Sequence, residues 1–167
     1  MNVLLLAAQD PLAWYEILLP LLAATIVGGL LGLEREFFGS FAGLRTHMLV
    51  SLGASVFTIA AREVVGEDPN ALSRVLQGVA TGVGFIGAGT ILKLSSAGRV
   101  HGLTTAASLW LSAALGVAVS LGEWRLALYA SLLALIVLML LKPLERIWDT
   151  GNEQTDTPTS EETEDEE

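Results

Sequence analysis

Side chains that could bind a charged ligand stand at the ends of long apolar segments of this sequence. They are Glu34, Arg35, Arg45, Thr46, Thr104 and Thr105. Threonine at a helix start accepts hydrogen bonds from unpaired backbone N–H groups, and a helix N-terminus favours negative charge. We therefore expect Thr46 and Thr105 to be N-cap residues, and two helix N-termini beside Arg45 to favour a carboxylate, a phosphate or a lipid headgroup. A second interpretation stays open, in which these groups only cap helices and pair Glu34 with an arginine.

Gln77 and Thr81 form a second polar pair, one helical turn apart within a glycine-rich apolar segment. A glutamine side chain in a nonpolar environment requires hydrogen-bond partners. We expect the pair to hydrogen-bond between helices, and the alternative is that it lines an internal polar path. His47 and His101 have no companion at metal-ligand spacing, so no metal site is expected there.

Motifs of known catalytic chemistry are missing from the sequence. The chain has no cysteine, which excludes a thiolate nucleophile or metal ligand. It also contains no P-loop, HExxH or nucleophile-elbow pattern. The sequence therefore predicts a protein that is not an enzyme, holds no cofactor and is not an autonomous ATP-driven pump.

Five apolar segments must position these side chains. Hydrophobic residues make up 52% of the chain, and the mean hydropathy is +0.58. A helix needs about 20 apolar residues to cross a bilayer. The segments that approach this length are residues 12–33, 46–64, 75–94, 104–121 and 124–141. The predicted fold is all-α, a polytopic membrane bundle of about five transmembrane helices.

The distribution of basic residues predicts the orientation of the bundle. With the N-terminus outside, the cytoplasmic side carries Arg35, Arg45, Lys93, Arg99, Lys142 and Arg146, and the outer side carries Arg62, Arg74 and Arg125. Cytoplasmic loops are enriched in Lys and Arg. The sequence therefore predicts an N-out, C-in protein that lies in the inner membrane of a bacterium.

Small residues recur at helical spacing in three of the five segments and predict close helix packing. They are Gly28 and Gly32 in the first, Gly78, Gly82, Gly84, Gly87 and Gly89 in the third, and Ser108, Ser112 and Gly116 in the fourth. Small side chains let neighbouring helix backbones approach one another in a membrane. We expect the third helix to be the central packing element and the leucine-rich fifth helix to face lipid. An oligomer built through these surfaces is the alternative.

A short similarity links two parts of the chain. Gly-Leu-Arg-Thr at residues 43–46 resembles Gly-Leu-Thr-Thr at 102–105, and each sequence precedes an apolar segment. Helices 1–2 and 3–4 are therefore predicted to form a parallel repeat, as in some transporters.

The C-terminal segment differs from the rest of the chain in charge. Nine acidic residues and no basic residue follow Arg146. This segment has too little apolar surface to form a core. We expect residues 1–148 to form the membrane domain and residues 149–167 to form a disordered acidic cytoplasmic tail, a composition that disfavours nucleic-acid binding.

Three sequence blocks resemble the MgtC/SapB family of membrane proteins. They are Gly-Leu-Glu-Arg-Glu at 32–36 with Ala-Gly-Leu-Arg-Thr at 42–46, the glycine-rich block at 77–89, and Gly-Leu-Thr-Thr-Ala-Ala-Ser-Leu-Trp at 102–110. The resemblance covers roughly residues 12–141. It implies a five-span inner-membrane protein linked to growth under magnesium limitation, and in some pathogens to survival inside phagocytes. It also implies contacts with other membrane proteins, such as the F-type ATP synthase and magnesium-transporting P-type ATPases.

Two departures from the virulence-linked members of that family are visible in the sequence. Those members carry Asn and Cys where this chain has Thr104 and Leu111, and they append a folded cytoplasmic domain where this chain has an acidic tail. The expected protein is a short form, and a housekeeping role is as consistent with the sequence as a role in virulence.

Two functional hypotheses follow for the membrane body. In the first, the protein is a non-enzymatic regulator that modulates other membrane proteins in magnesium or ion homeostasis. In the second, it is a small transporter or channel with a glycine-rich third helix and an anion-favouring cytoplasmic vestibule. A purely structural homo-oligomer is a third reading of the small-residue stripes.

Overall fold

The computed structural model describes residues 13–66, 68–92 and 102–140, and within them all regular structure is α-helical. The helices are α1 (Trp14–Phe37), α2 (Leu44–Val65), α3 (Pro69–Leu92), α4 (Leu103–Ser120) and α5 (Trp124–Leu140). The first four are long and apolar enough to cross a membrane, and α5 is a shorter apolar helix. The predicted all-helical membrane bundle is confirmed. The acidic tail and His101 lie outside the described residues.

The third helix begins earlier than predicted, at Pro69 and not near residue 75. Proline suits the first position of a helix because that position has no intrahelical N–H partner to lose. The Asp68 side chain accepts a hydrogen bond from the backbone N–H of Asn70 at 2.9 Å. Polar capping thus extends the helix beyond its apolar segment.

The central helix of the bundle is α4. It packs against each of the four other helices in the described part of the chain, and 56% of its apolar span is buried, compared with 11% for α3. The prediction that α3 is the central packing element is therefore wrong. Small residues of α4 itself lie on most sides of that helix. Among the described residues, α3 contacts its neighbours through the side that carries Val83 and Gly87.

Helices α1 and α2 approach each other closely at two glycines of α1. A Cβ atom at Gly28 would lie 2.6 Å from the carbonyl oxygen of His47, and one at Gly32 would lie 2.8 Å from the Cα of Leu44. Only hydrogen fits between the two backbones at these points. The α1–α2 contact therefore depends on residues that the sequence singles out for packing.

Helix α5 packs on α1 and α4 through a narrow small-residue face. Ala127, Ser131 and Ala134 are buried, and the leucines at 128, 132 and 133 are exposed. The buried face contacts Leu31 of α1 and Leu115 of α4. The exposed leucines present to lipid the apolar surface that the sequence predicts for this helix.

Helices α2 and α4 each begin directly after a glycine, and they run parallel, since residues 47 and 55 pair with residues 108 and 120. The N-cap residues are Gly43 and Gly102, and neither forms a side-chain cap. Gly102 has φ of 90°, a conformation that glycine adopts without strain. Thr46 and Thr105 lie within the first helical turn, so the prediction that they are N-cap residues is wrong.

Candidate functional site

A seam of buried polar side chains runs between α2 and α4. His47 is fully buried; its Nδ1 lies 2.9 Å from the carbonyl oxygen of Gly43, and its Nε2 lies 3.0 Å from Oγ of Ser108. Because a carbonyl oxygen only accepts, Nδ1–H is the donor to Gly43. Further along, the hydroxyls of Ser55 and Ser120 lie 2.6 Å apart. The two central helices are thus held in one register by hydrogen bonds.

Arg35 joins three parts of the chain at the end of this seam. Its Nη2 donates to Oγ of Ser40 at 2.8 Å and to Oγ1 of Thr105 at 3.3 Å, and these two hydroxyls lie 3.0 Å apart. The Arg35 side chain is 13% exposed. The end of α1, the loop after it and the first turn of α4 therefore meet at one guanidinium.

Glu34 is the least satisfied group of the cluster. Its side chain is 1% exposed, and its Oε2 lies 3.9 Å from Nη1 of Arg35. Neither carboxylate oxygen has a hydrogen-bond partner among the described residues, and the Nε of Arg35 lacks one too. A buried carboxylate without donors is costly unless charge or hydrogen bonds compensate. Glu34 is therefore the group at this end of the bundle best placed to accept a further donor or a cation.

The structure brings together only part of the predicted site. Glu34, Arg35 and Thr105 meet in the cluster, whereas Thr104 and Arg45 are exposed. Arg45 and Thr46 line a groove between α2 and α3 instead. The predicted vestibule, with two helix N-termini facing Arg45, is therefore not formed among the described residues.

Several residues of the site were missed in the sequence. His47, Ser51, Ser55 and Thr58 are each fully buried on α2. Their spacing of four, four and three residues was a signal for one polar helix face. Glu36 was also missed as a cap: its Oε2 accepts from the backbone N–H of Leu44 at 3.0 Å.

The predicted polar pair on α3 points away from the bundle. Gln77 and Thr81 are both exposed. The Thr81 hydroxyl donates to the Gln77 carbonyl oxygen at 2.8 Å, and Nε2 of Gln77 reaches only Oγ of Ser73, at 3.5 Å. Within the described part of the chain the pair forms no interhelical hydrogen bond. The predicted internal polar lining is wrong for this pair, because α3 packs through its opposite side, and a hydrogen bond from the pair to another helix stays a prediction.

The small residues singled out in the sequence divide into two groups. Gly28, Gly32, Gly87, Ser108, Ser112 and Gly116 are all buried at helix contacts. A Cβ atom at Gly78, Gly82, Gly84 or Gly89 would meet no atom within 4 Å. The prediction that these four glycines of α3 pack inside the bundle is wrong, since nothing in the described residues covers them.

The groove between α2 and α3 has a volume of about 830 Å³. It begins at Arg45 and Thr46 and continues as an apolar trough to Phe57. Gly53, Gly78 and Gly82 line it, and a Cβ placed on any of them would meet no neighbouring atom of the described residues within 4 Å. The groove therefore exists because both of its walls carry glycine where a larger side chain would fill the space.

A bundle of apolar helices with a polar central seam and buried charge at one end defines a polytopic membrane protein. Among the described residues, no three His, Asp or Glu side chains lie close enough to hold a metal ion. The sequence pattern of the MgtC family matches residues 21–147. The chain belongs to the MgtC family.

Three relatives show the extent of the similarity. Protein SrpB of Synechococcus elongatus is 43% identical over 157 residues, which cover 88% of this chain and 85% of that protein. The putative magnesium transporter YhiD of Escherichia coli is 41% identical over 132 residues, covering 74% of this chain and 59% of YhiD. Protein MgtC of Salmonella typhimurium is 37% identical over 134 residues, covering 80% of this chain and 56% of that protein. No solved structure matches the chain.

Proposed function

We infer that this chain is a non-enzymatic protein of the bacterial inner membrane that acts in magnesium homeostasis by contacting another membrane protein. The magnesium assignment is supported by the relatives, since YhiD is described as a putative magnesium transporter. A membrane ATPase is the partner class that the family resemblance suggests, and a second copy of the chain is the alternative. The chain spans little more than half of the length of YhiD and MgtC, and the proposed contact lies on its own helix α3.

The outer face of α3 is the observation that carries the proposal. Gln77, Thr81, Gly84 and Ala88 are all exposed. At about 100° per residue they fall on one side of the helix, within about 60° of one another. Polar side chains facing lipid are unfavourable, and small residues permit close approach of a second helix. We call these four residues the outer α3 face.

A comparison with α5 strengthens this argument. The exposed side of α5 carries large apolar residues, including Leu132, Leu133 and Ile136. Such a surface suits lipid chains without a partner. The outer α3 face lacks that apolar bulk and offers amide, hydroxyl and glycine groups instead. Of the two peripheral helices, α3 is thus the one suited to a protein contact.

A transporter that uses the glycine-rich helix has less support in this arrangement. Helix α3 lies at the edge of the bundle, and the polar seam lies between α2 and α4. The seam is closed by direct contact, because a Cβ atom at Gly116 would collide with the Ser51 backbone. Ion flux in proteoliposomes of the purified protein would favour transport over the proposed contact.

Substitution of Gly84 by leucine tests the proposed contact. A photo-crosslinking residue at Thr81 should capture a membrane protein, and Gly84→Leu should reduce that yield at least tenfold, because the side chain keeps a second helix at a distance. Growth at low magnesium should fail in the same variant. Its thermal unfolding should not change, since a Cβ at this position has no neighbour within 4 Å in the part of the chain that the structure describes.

Gly82→Leu is the matched control, because Gly82 is equally uncovered but lies about 160° around the helix from Gly84. It should leave the Thr81 crosslink intact. Normal growth and crosslinking of the Gly84→Leu variant would refute the outer α3 face as a contact surface.

The orientation and domain division are proposed on charge alone. Residues 1–148 would form the membrane domain, with the N-terminus outside and residues 149–167 in the cytoplasm, because basic residues divide six to three between the two sides. A reporter enzyme fused after Trp148 should be active only as a cytoplasmic reporter. Periplasmic activity at that position would contradict the orientation.

A further inference from the structure

The α2–α3 groove lies between two helices that are each long and apolar enough to cross a membrane. Its volume of about 830 Å³ lies in the range of about 300–1,000 Å³ typical of ligand pockets. The walls are apolar apart from the end at Arg45 and Thr46. An occupant must therefore be largely hydrocarbon, with one polar end.

The length of the groove corresponds to one leaflet of a bilayer. Arg45 and Phe57 are 12 positions apart on α2, which is about 18 Å of helix. Half of a hydrocarbon core measures about 15 Å. Arg45 follows the first residue of α2 and so lies at the membrane interface, and the groove reaches from there to about the midplane. A transmembrane helix of a partner would require a groove about twice as long.

The polar end of the groove carries an unpaired positive charge. Arg45 is exposed, and among the described residues it forms neither a hydrogen bond nor an ion pair. The nearby carboxylate of Glu36 is bound to the backbone N–H of Leu44 and is not part of the groove wall. A guanidinium matches two phosphate oxygens with paired N–H donors. Basic pockets between membrane helices on the cytoplasmic side bind anionic headgroups in this way.

We propose that the α2–α3 groove binds an anionic phospholipid, with the phosphate at Arg45 and an acyl chain along Gly53, Gly78 and Gly82. The acyl chain occupies the space that is open because these three residues are glycines. This site is independent of the outer α3 face, which points in another direction.

Electron paramagnetic resonance with spin-labelled lipids tests the proposal. The probes are spin-labelled phosphatidylglycerol and spin-labelled phosphatidylcholine. Each probe is added in trace amount to unlabelled phosphatidylcholine vesicles that contain the purified full-length protein, and the fraction of probe immobilised by the protein is compared. Phosphatidylglycerol should be preferred by the wild type, and Arg45→Gln should lower that preference about fivefold, the effect of one basic side chain near the membrane surface. Arg45→Lys should retain part of the preference, because the charge remains while the paired donors are lost. Added salt should weaken the headgroup selectivity.

Two glycine variants separate groove binding from general surface charge. Gly82→Leu should reduce the immobilised fraction of both lipids, because leucine occupies the acyl-chain position. Gly84→Leu and Arg125→Gln should change neither the phosphatidylglycerol preference nor the immobilised fraction, since neither residue lines the groove. All variants should unfold at the same temperature as the wild type.

Two results would overturn the lipid site. One is an unchanged phosphatidylglycerol preference in Arg45→Gln. The other is efficient disulfide dimerisation of Gly82→Cys in a chain that otherwise has no cysteine, because a second copy would then occupy the groove. Loss of partner crosslinking in Gly84→Leu bears on the proposed function alone and leaves this site unaffected.

Discussion

Leucine in place of Gly116 should destabilise the bundle more than any other single substitution considered for this chain. A Cβ atom at this position would collide with the carbonyl oxygen of Ser51 on α2, so even alanine forces the two central helices apart. Overpacking a core costs about 1–3 kcal/mol where side chains can adjust. Here the colliding group is backbone, and we expect a loss of about 3 kcal/mol or more. Unfolding in mixed micelles, followed by circular dichroism, measures the change.

The matched control for this prediction is Gly82→Leu. A Cβ at Gly82 meets nothing within 4 Å, so leucine there should leave the unfolding free energy within about 0.5 kcal/mol of the wild type. Equal loss of stability in both variants would contradict the central position of α4. Gly116→Ala should fall between them, since it introduces the collision without the larger side chain.

Methionine in place of Arg35 is expected to have the second largest effect. The substitution removes the donor shared by Ser40 and Thr105, and it leaves the buried carboxylate of Glu34 without its neighbouring positive charge. Removing one partner of a buried ion pair typically costs about 3–5 kcal/mol. Because the pair is separated by 3.9 Å and the Arg35 side chain is 13% exposed, we expect about 3 kcal/mol.

A double-mutant cycle identifies the source of that loss. Glu34→Gln in the Arg35→Met background removes the uncompensated charge and should restore at least about 1 kcal/mol. Strict additivity of the two substitutions would show that Arg35 acts only through its hydroxyl partners. Arg74→Met on the exposed part of α3 is the control for loss of a positive charge, and it should be nearly neutral.

The all-helical membrane fold followed directly from the sequence. A bilayer has a fixed thickness and offers no hydrogen-bond partners to the backbone, so long apolar segments have few structural options. Gly28 and Gly32 were recognised for the same reason, because small residues in register favour a close helix contact. Arg35 and Glu34 were recognised as site candidates by their charge at the end of an apolar segment.

The assignment of the central helix required the tertiary structure. A stripe such as Gly78 and Gly82 is equally compatible with a contact inside the chain, a contact with another chain or an open groove. The sequence spacing is the same in all three cases. Only the rotation of α3 about its axis, set by Val83 and Gly87 against α4, decides which face is buried.

Helix rotation also determined the roles of the polar residues. His47 and Arg45 lie two positions apart at the start of the same helix, about 160° from each other around its axis. His47 is therefore buried against Ser108, while Arg45 faces the groove. The sequence by itself determined that charged and polar groups gather at the ends of membrane helices, because lipid excludes them from the middle. The tertiary structure decided which of them meet, because each contact depends on how two helices turn toward one another.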